Sequence, residues 1–184
     1  MSNRFAQVII LVEDKQQRTF VSRLLQAIGY PVHKLKILPI PAGEGSGEQY
    51  VREQYPIQVK ELRPRAKYMD VALVAIIDGD LSTVLARQKQ LADQLEGSEL
   101  EPRGADEKII HLIPCRNIET WIEYLLDTTA AVDETNTYPK LKGRERDCQK
   151  AVEEMVRLCK TTQALPATCP PSLATAITEL KRLG

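Results

Sequence analysis

Apolar residues fall into two patterns along this chain: short unbroken runs, and longer segments with helical spacing. Gln7-Val8-Ile9-Ile10-Leu11-Val12 is the first run and ends at Glu13-Asp14. Val71-Ala72-Leu73-Val74-Ala75-Ile76-Ile77 is the longest and is stopped by Asp78-Gly79-Asp80. Runs rich in Val and Ile and closed by turn residues predict strands buried on both faces. Two more strands are expected. Lys34 to Ile40 is short and edge-like, closed by Pro39 and Pro41, and Lys108 to Pro114 is the fourth.

The intervening segments read as helices. Lys15 to Ile28 places Phe20, Leu24 and Ile28 on one face, with Val21 and Leu25 beside them and Gly29 as the stop. Gly43-Glu44-Gly45-Ser46-Gly47 reads as a flexible loop, followed by a helix from Glu48 to Arg63 that Pro56 interrupts. After the longest strand, Asp80 or Ser82 is placed to cap a helix through about Leu95, with Leu81, Val84, Leu85, Leu91 and Leu95 inward. Glu96 to Asp106 is a polar loop, and Arg116-Asn117-Ile118-Glu119 opens a helix to about Leu126. Asp127 to Lys142 reads as a linker. A helix from Arg144 to Lys160 follows, with Cys148, Val152, Met155 and Cys159 on one face. The last helix, Pro171 to Leu183, buries Leu173, Ile177 and Leu180.

Strand–helix alternation is the mark of a parallel sheet covered by helices. The expectation is an α/β fold: a parallel four-stranded sheet flanked by helices over residues 1–127, with a C-terminal helical extension, 128–184, packed on it. No internal repeat or low-complexity tract is visible.

Composition narrows the class without naming a function. The chain has 184 residues, 43% apolar and 27% charged, as an ordinary globular protein does. Basic and acidic residues number 25 each, so net charge points to no polyanionic partner. Cys115, Cys148, Cys159 and Cys169 show no CxxC spacing, and only His33 and His111 could join them. Reduced thiols in a cytosolic protein are expected, with no secretory leader and no membrane span.

Chemistry concentrates at the strand ends. Parallel strands bring their carboxyl ends to one edge of the sheet, where open α/β sheets place ligands. Glu13-Asp14 and Asp78-Gly79-Asp80 would converge there. Like charges so close raise each other's pKa unless a cation compensates, and a hard ion such as Mg2+ does so. Taken singly, Asp78-Gly79-Asp80 reads first as a turn with an N-cap, and Glu13-Asp14 as a turn with helix N-terminal charge. Glu119, on the first turn of a helix, would lie near the same edge, and Arg116 could pair with an acid, hold a phosphate or be a plain surface arginine. Trp121, the only tryptophan, reads as core.

The order strand–Glu13, helix, strand, helix, strand–Asp78-Gly79-Asp80, helix, strand resembles the TOPRIM domain. That domain occurs in topoisomerases, bacterial primases, recombination mediators and nucleases of the overcoming-lysogenization-defect type. The resemblance covers about Ala6 to Asp127. Ile113-Pro114-Cys115-Arg116-Asn117-Ile118-Glu119-Thr120-Trp121 is similar to a stretch of small stand-alone TOPRIM proteins, many linked to phage defence. Glu13-Asp14 departs from the common Glu-Gly pair. No topoisomerase tyrosine domain or primase zinc module is expected within these residues, and Gly43-Glu44-Gly45-Ser46-Gly47 is not a P-loop, since it lacks the Gly-Lys-Ser/Thr ending.

The resemblance implies Mg2+ or Mn2+ held by Glu13, Asp78 and Asp80, with Glu119 completing a second metal position. These four would be the catalytic residues of a cytoplasmic endonuclease acting on DNA or RNA. Arg18 and Arg116 would hold flanking phosphates. Lys142 and Arg144 belong to the most basic segment, which would grip nucleic-acid backbone in a salt-dependent way or simply form a solvated helix start. An ATPase partner on another chain and a homodimer are compatible with this reading; a membrane partner is not expected. Three rivals share the acidic edge. A receiver-like phosphoacceptor would use Asp78, but Glu13 lies too far ahead and Pro114-Cys115-Arg116 stands where a hydroxyl residue belongs. A glycosyltransferase would lack its acceptor half. A non-catalytic TOPRIM scaffold would bind a partner protein or nucleic acid.

Overall fold

The computed structural model describes residues 5–40, 47–80 and 82–184. Loop residues 43–46 and Leu81, both assigned above from sequence, lie outside the described residues. Strand β1 spans Phe5–Leu11, β2 Leu35–Ile37, β3 Asp70–Ile76 and β4 Ile109–Leu112. They form one sheet in the order β2-β1-β3-β4, every neighbouring pair parallel. Ile10 lies opposite Ile37 on one side and Val74 on the other, and Val74 lies opposite Ile110. The α/β fold expected from the alternation is therefore the one observed.

Side chains of β1, β3 and β4 alternate between two cores. Val8, Ile10, Ala72, Val74, Ile76, Ile110 and Leu112 face one side, under helices α1 (Lys15–Ala27), α4 (Ile118–Leu126), α5 (Glu145–Lys160) and α6 (Pro171–Leu180). Ile9, Leu11, Leu73, Ala75 and Ile109 face the other, under α2 (Gly47–Ala66) and α3 (Val84–Gly97). Burial on both faces explains why β1 and β3 read as continuous apolar runs rather than alternating ones. The C-terminal helices belong to the first core: α5 packs on α1 and α4, and α6 packs along β4.

Several local expectations are corrected. Pro56 does not interrupt α2; the helix runs through both Pro56 and Pro64. Packing holds it, because Val51, Tyr55, Val59 and Leu62 all lie against the sheet, and tertiary burial outweighs the lost backbone hydrogen bonds. Neither Asp80 nor Ser82 caps α3. Thr83 does, its hydroxyl accepting the Ala86 N–H at 3.0 Å. That start turns Leu85 outward, 76% exposed, and turns Arg87 inward. Strand β2 is three residues long: the 3-10 turn at Val32–Lys34 takes Lys34, and the pairing with β1 ends at Ile37, two residues before Pro39.

Strand β4 is an edge strand, and an ion pair covers part of its open side. Arg103 Nη1 donates to the Ile109 carbonyl at 2.9 Å, and Glu179 Oε2 accepts the His111 N–H at 3.0 Å. The same two side chains pair with each other at 2.5 and 3.1 Å. His111 itself is buried, with Nε2 2.9 Å from the Tyr55 hydroxyl. Burial, reinforced by Arg103 and Arg182, pushes its pKa well down, so it is neutral. All four cysteines are free thiols. No helix among the described residues is long and apolar enough to cross a membrane.

Candidate functional site at the carboxyl edge of the sheet

The strand order puts the site where it does. From β1 the chain leaves toward β2, and from β3 it leaves toward β4, so the carboxyl ends of β1 and β3 are adjacent while their connections diverge. A crevice opens at such a switch point. Glu13 and Asp78, each two residues past its strand, fill that crevice.

Asp14 is taken up by the fold. Its Oδ1 accepts the N–H groups of Gln16 and Gln17 at 2.8 Å each and caps α1. Glu13 is free to turn across to β3, where its Oε1 accepts the Asp78 N–H at 2.5 Å. Gln17 ties the pair: its Oε1 accepts the Glu13 N–H at 2.9 Å and its Nε2 donates to Asp78 Oδ1 at 2.8 Å. Gln17 is buried on the apolar face of α1 beside Phe20, Val21 and Leu24, a polar residue kept there because both ends of its amide are satisfied.

Two glycines allow this closeness. A Cβ on Gly47, the first residue of α2, would lie 2.4 Å from the Glu13 carbonyl oxygen. A Cβ on Gly79 would lie 2.4 Å from the Cys115 carbonyl oxygen, and the Gly79 N–H donates to the Pro114 carbonyl at 2.8 Å. The left-handed residue of the turn is Asp80, with φ 48°.

The electrostatics follow from burial. Desolvation pushes Glu13 up to about 7; repulsion from Asp80 and Asp14 adds to it, while the Asp78 N–H and Arg87 pull back. Asp78 is pushed up to about 8, first by desolvation and then by Glu13, with the Gln17 hydrogen bond opposing. Asp80 is mostly exposed, its Oδ2 3.5 Å from Arg87 Nη2. Glu119 lies on the first turn of α4, buried, and burial raises its pKa; Asp14 adds to the rise, while Lys140 and a hydrogen bond from Gln16 oppose it. The structure thus joins Glu13 and Asp78, leaves the exposed Asp80 on Arg87, and sets Glu119 apart from them on α4, hydrogen-bonded to Gln16.

The basic candidates are scattered. Arg18 and Lys142 are exposed. Arg116 Nη1 donates to the Thr135 carbonyl at 2.8 Å. Arg144 pairs with Asp147 at 2.9 Å and Glu123 at 3.6 Å and donates to the Pro139 carbonyl. Trp121 is fully buried, its Nε1 donating to Ser172 Oγ at 2.8 Å, so it is core as its surroundings in the sequence suggest.

Three site residues escaped the sequence reading: Gln17, Glu48 and Arg87. Gln17 and Arg87 each lie four residues before a core leucine or valine on an apolar helix face (Gln17 before Val21, Arg87 before Leu91), which is the one signal that marks them.

The donor chemistry suits a hard divalent ion, since Glu13 and Asp78 each keep one carboxylate oxygen without a hydrogen bond among the described residues. Among the described residues no group of three or more His, Cys, Asp or Glu is arranged to hold a metal ion. Two carboxylates are in place, and the third, Asp80, faces Arg87. No protein-family model, curated protein or solved structure matches this chain.

Proposed function

We propose that the β1–β3 edge is a divalent-cation site for phosphodiester chemistry, and that the protein is a metal-dependent endonuclease resembling a minimal TOPRIM domain. One observation carries the reading: two largely buried acids, Glu13 and Asp78, share a crevice at the carboxyl ends of the two central strands. Burying two carboxylates together is costly without a compensating charge. An Mg2+ or Mn2+ ion bound there would supply Lewis-acid stabilisation of a phosphodiester and an activated water.

The remaining roles belong to the chain. Asp78 and Glu13 offer the ligand oxygens, and Gln17 fixes the Asp78 carboxylate by hydrogen bonding. Asp80 is the third ligand, free to swing because it is exposed. Arg18 and Lys142 offer charge for a nucleic-acid backbone near α1; Leu141, whose N–H is bound by Gln16 at 2.8 Å, docks that basic segment beside the site.

The test uses plasmid DNA, single-stranded DNA and tRNA with Mg2+ or Mn2+. Cleavage is expected from the wild type and not from Asp78→Asn. Cleavage unchanged in Asp78→Asn sinks the assignment. A non-catalytic nucleic-acid-binding role is the second reading, favoured by the engagement of Asp80 with Arg87. Cation binding in calorimetry, lost in Asp78→Asn and unaccompanied by any cleavage, would select it.

A further inference from the structure

Arg87 enters the acid cluster from α3 with its side chain 5% exposed. Its Nη1 pairs with Glu48 Oε1 and donates to Gln90 Oε1 at 2.8 Å. Its Nη2 reaches Asp80 only at 3.5 Å, and its Nε is buried without a hydrogen-bond partner among the described residues. Glu48 is also shared: Arg52 Nε lies 2.6 Å from the same Oε1. One carboxylate thus stands between two guanidinium groups, and the surplus positive charge falls on Asp80 at 3.5 Å and, without direct contact, on Glu13.

We propose that Arg87 is the built-in counter-cation of this cluster, neutralising Asp80 in the cation-free protein and releasing it when a divalent ion binds. The inference rests on the cation-site reading above and assigns a residue that the reading does not use. The guanidinium is held chiefly by Glu48 and Gln90, and it reaches Asp80 only at the outer limit of a contact. Asp80 is also the easiest carboxylate to recruit. Its side chain is 67% exposed, so moving it toward Glu13 and Asp78 gives up little solvation or packing. Arg87 then acts as a positioning residue. It opposes metal entry by charge repulsion, so that occupancy requires an ion of sufficient charge.

The test is the Mn2+ dissociation constant, measured by calorimetry on wild type, Asp78→Asn, Arg87→Gln and Arg87→Lys, with thermal melts to confirm folding. Asp78→Asn should weaken binding. Arg87→Gln should bind about tenfold tighter, because a buried like charge beside the ion is removed. Arg87→Lys keeps a charge beside Glu48 but loses the planar fork, and should bind Mn2+ less tightly than Arg87→Gln. Equal or weaker binding by Arg87→Gln overturns the proposal and leaves the cation site standing. No Mn2+ binding by wild type overturns both. Should Arg87→Gln fail to fold, an Mg2+ titration of the wild type followed at the Arg87 Nε–H resonance decides. A signal that shifts in step with binding supports the release of Asp80, and one that stays fixed while Mg2+ binds overturns it.

Discussion

The Glu13 carboxylate accepts the backbone N–H of Asp78 at 2.5 Å, so two mutually repelling acids are held together by the main chain of one of them. Repulsion and burial are met by geometry, and protonation is the remaining relief in the absence of a cation. Glu13 is raised from its ordinary 4.5 to about 7, and Asp78 from 3.8 to about 8. Between those limits the folded protein keeps protons that the unfolded chain has released. Stability is therefore full below about pH 4 as far as these groups are concerned, and falls as pH rises toward 8. With chelator present, the thermal midpoint should drop from pH 5 to pH 9, a loss on the order of a few kcal/mol. Mg2+ or Mn2+ should restore it at the alkaline end, where the ion replaces the proton. Asp78→Asn should flatten the profile. Melts in chelator that are independent of pH would contradict the arrangement.

Gly47 sets the distance between α2 and the end of β1. An added methyl would sit 2.4 Å from the Glu13 carbonyl oxygen and 2.8 Å from Glu13 Cβ. Neither is the tip of a flexible side chain, so the helix or the strand end must move. Gly47→Ala should cost about 1–3 kcal/mol and weaken Mn2+ binding by displacing Glu13. Gly97 is the control: it also lies in a helix, but nothing stands within 4 Å of its Cβ position. Gly97→Ala should gain about 0.4–1 kcal/mol and leave Mn2+ binding unaltered. Chemical denaturation and calorimetry on the two variants compare them directly.

Asp80 adopts φ 48°, a conformation glycine accepts more readily than aspartate. The residue does not cap α3, a task that falls to Thr83, so its carboxylate has only the 3.5 Å contact with Arg87 to hold it. Asp80→Gly should stabilise the fold by about 1 kcal/mol while lowering Mn2+ affinity. Opposite signs in the two measurements identify a residue kept for chemistry. A destabilised Asp80→Gly with unchanged affinity would instead make Asp80 a structural partner of Arg87.

How far the sequence speaks depends on what each residue answers to. Val71 to Ile77 and Gln7 to Val12 are legible because a doubly buried strand has no polar face to confuse the pattern. Glu13 and Asp78 are legible because acids at the ends of such strands have nowhere to go but the sheet edge. Leu85 departs from the expectation because apolar character alone does not set direction: the helix phase is fixed by Thr83, Leu91 and Leu95, and it turns Leu85 outward. Arg87 is hidden by the same phase. Glu48 and Gln17 cannot be found without the crossover that brings α1, α2 and α3 to one edge, since their partners lie 39 and 61 residues away in the chain.

The edge of β4 offers a prediction independent of any function. Arg103 and Glu179 occupy the positions a fifth strand would take, one binding the Ile109 carbonyl and the other the His111 N–H. An uncovered edge presents these groups as a template for a second chain. Glu179→Ala leaves Arg103 without its carboxylate and the His111 N–H without an acceptor, and should cost about 3–5 kcal/mol, as breaking a buried ion pair does. Arg103→Ala/Glu179→Ala should cost less than the sum of the two single changes, because neither charge is then stranded. The double variant should nevertheless associate as its concentration rises, with β4 pairing to a neighbour. Denaturant melts give the coupling, and light scattering after size exclusion reads the association. A double variant that stays as dispersed as the wild type would show that α6 shields the edge by bulk alone, without the ion pair.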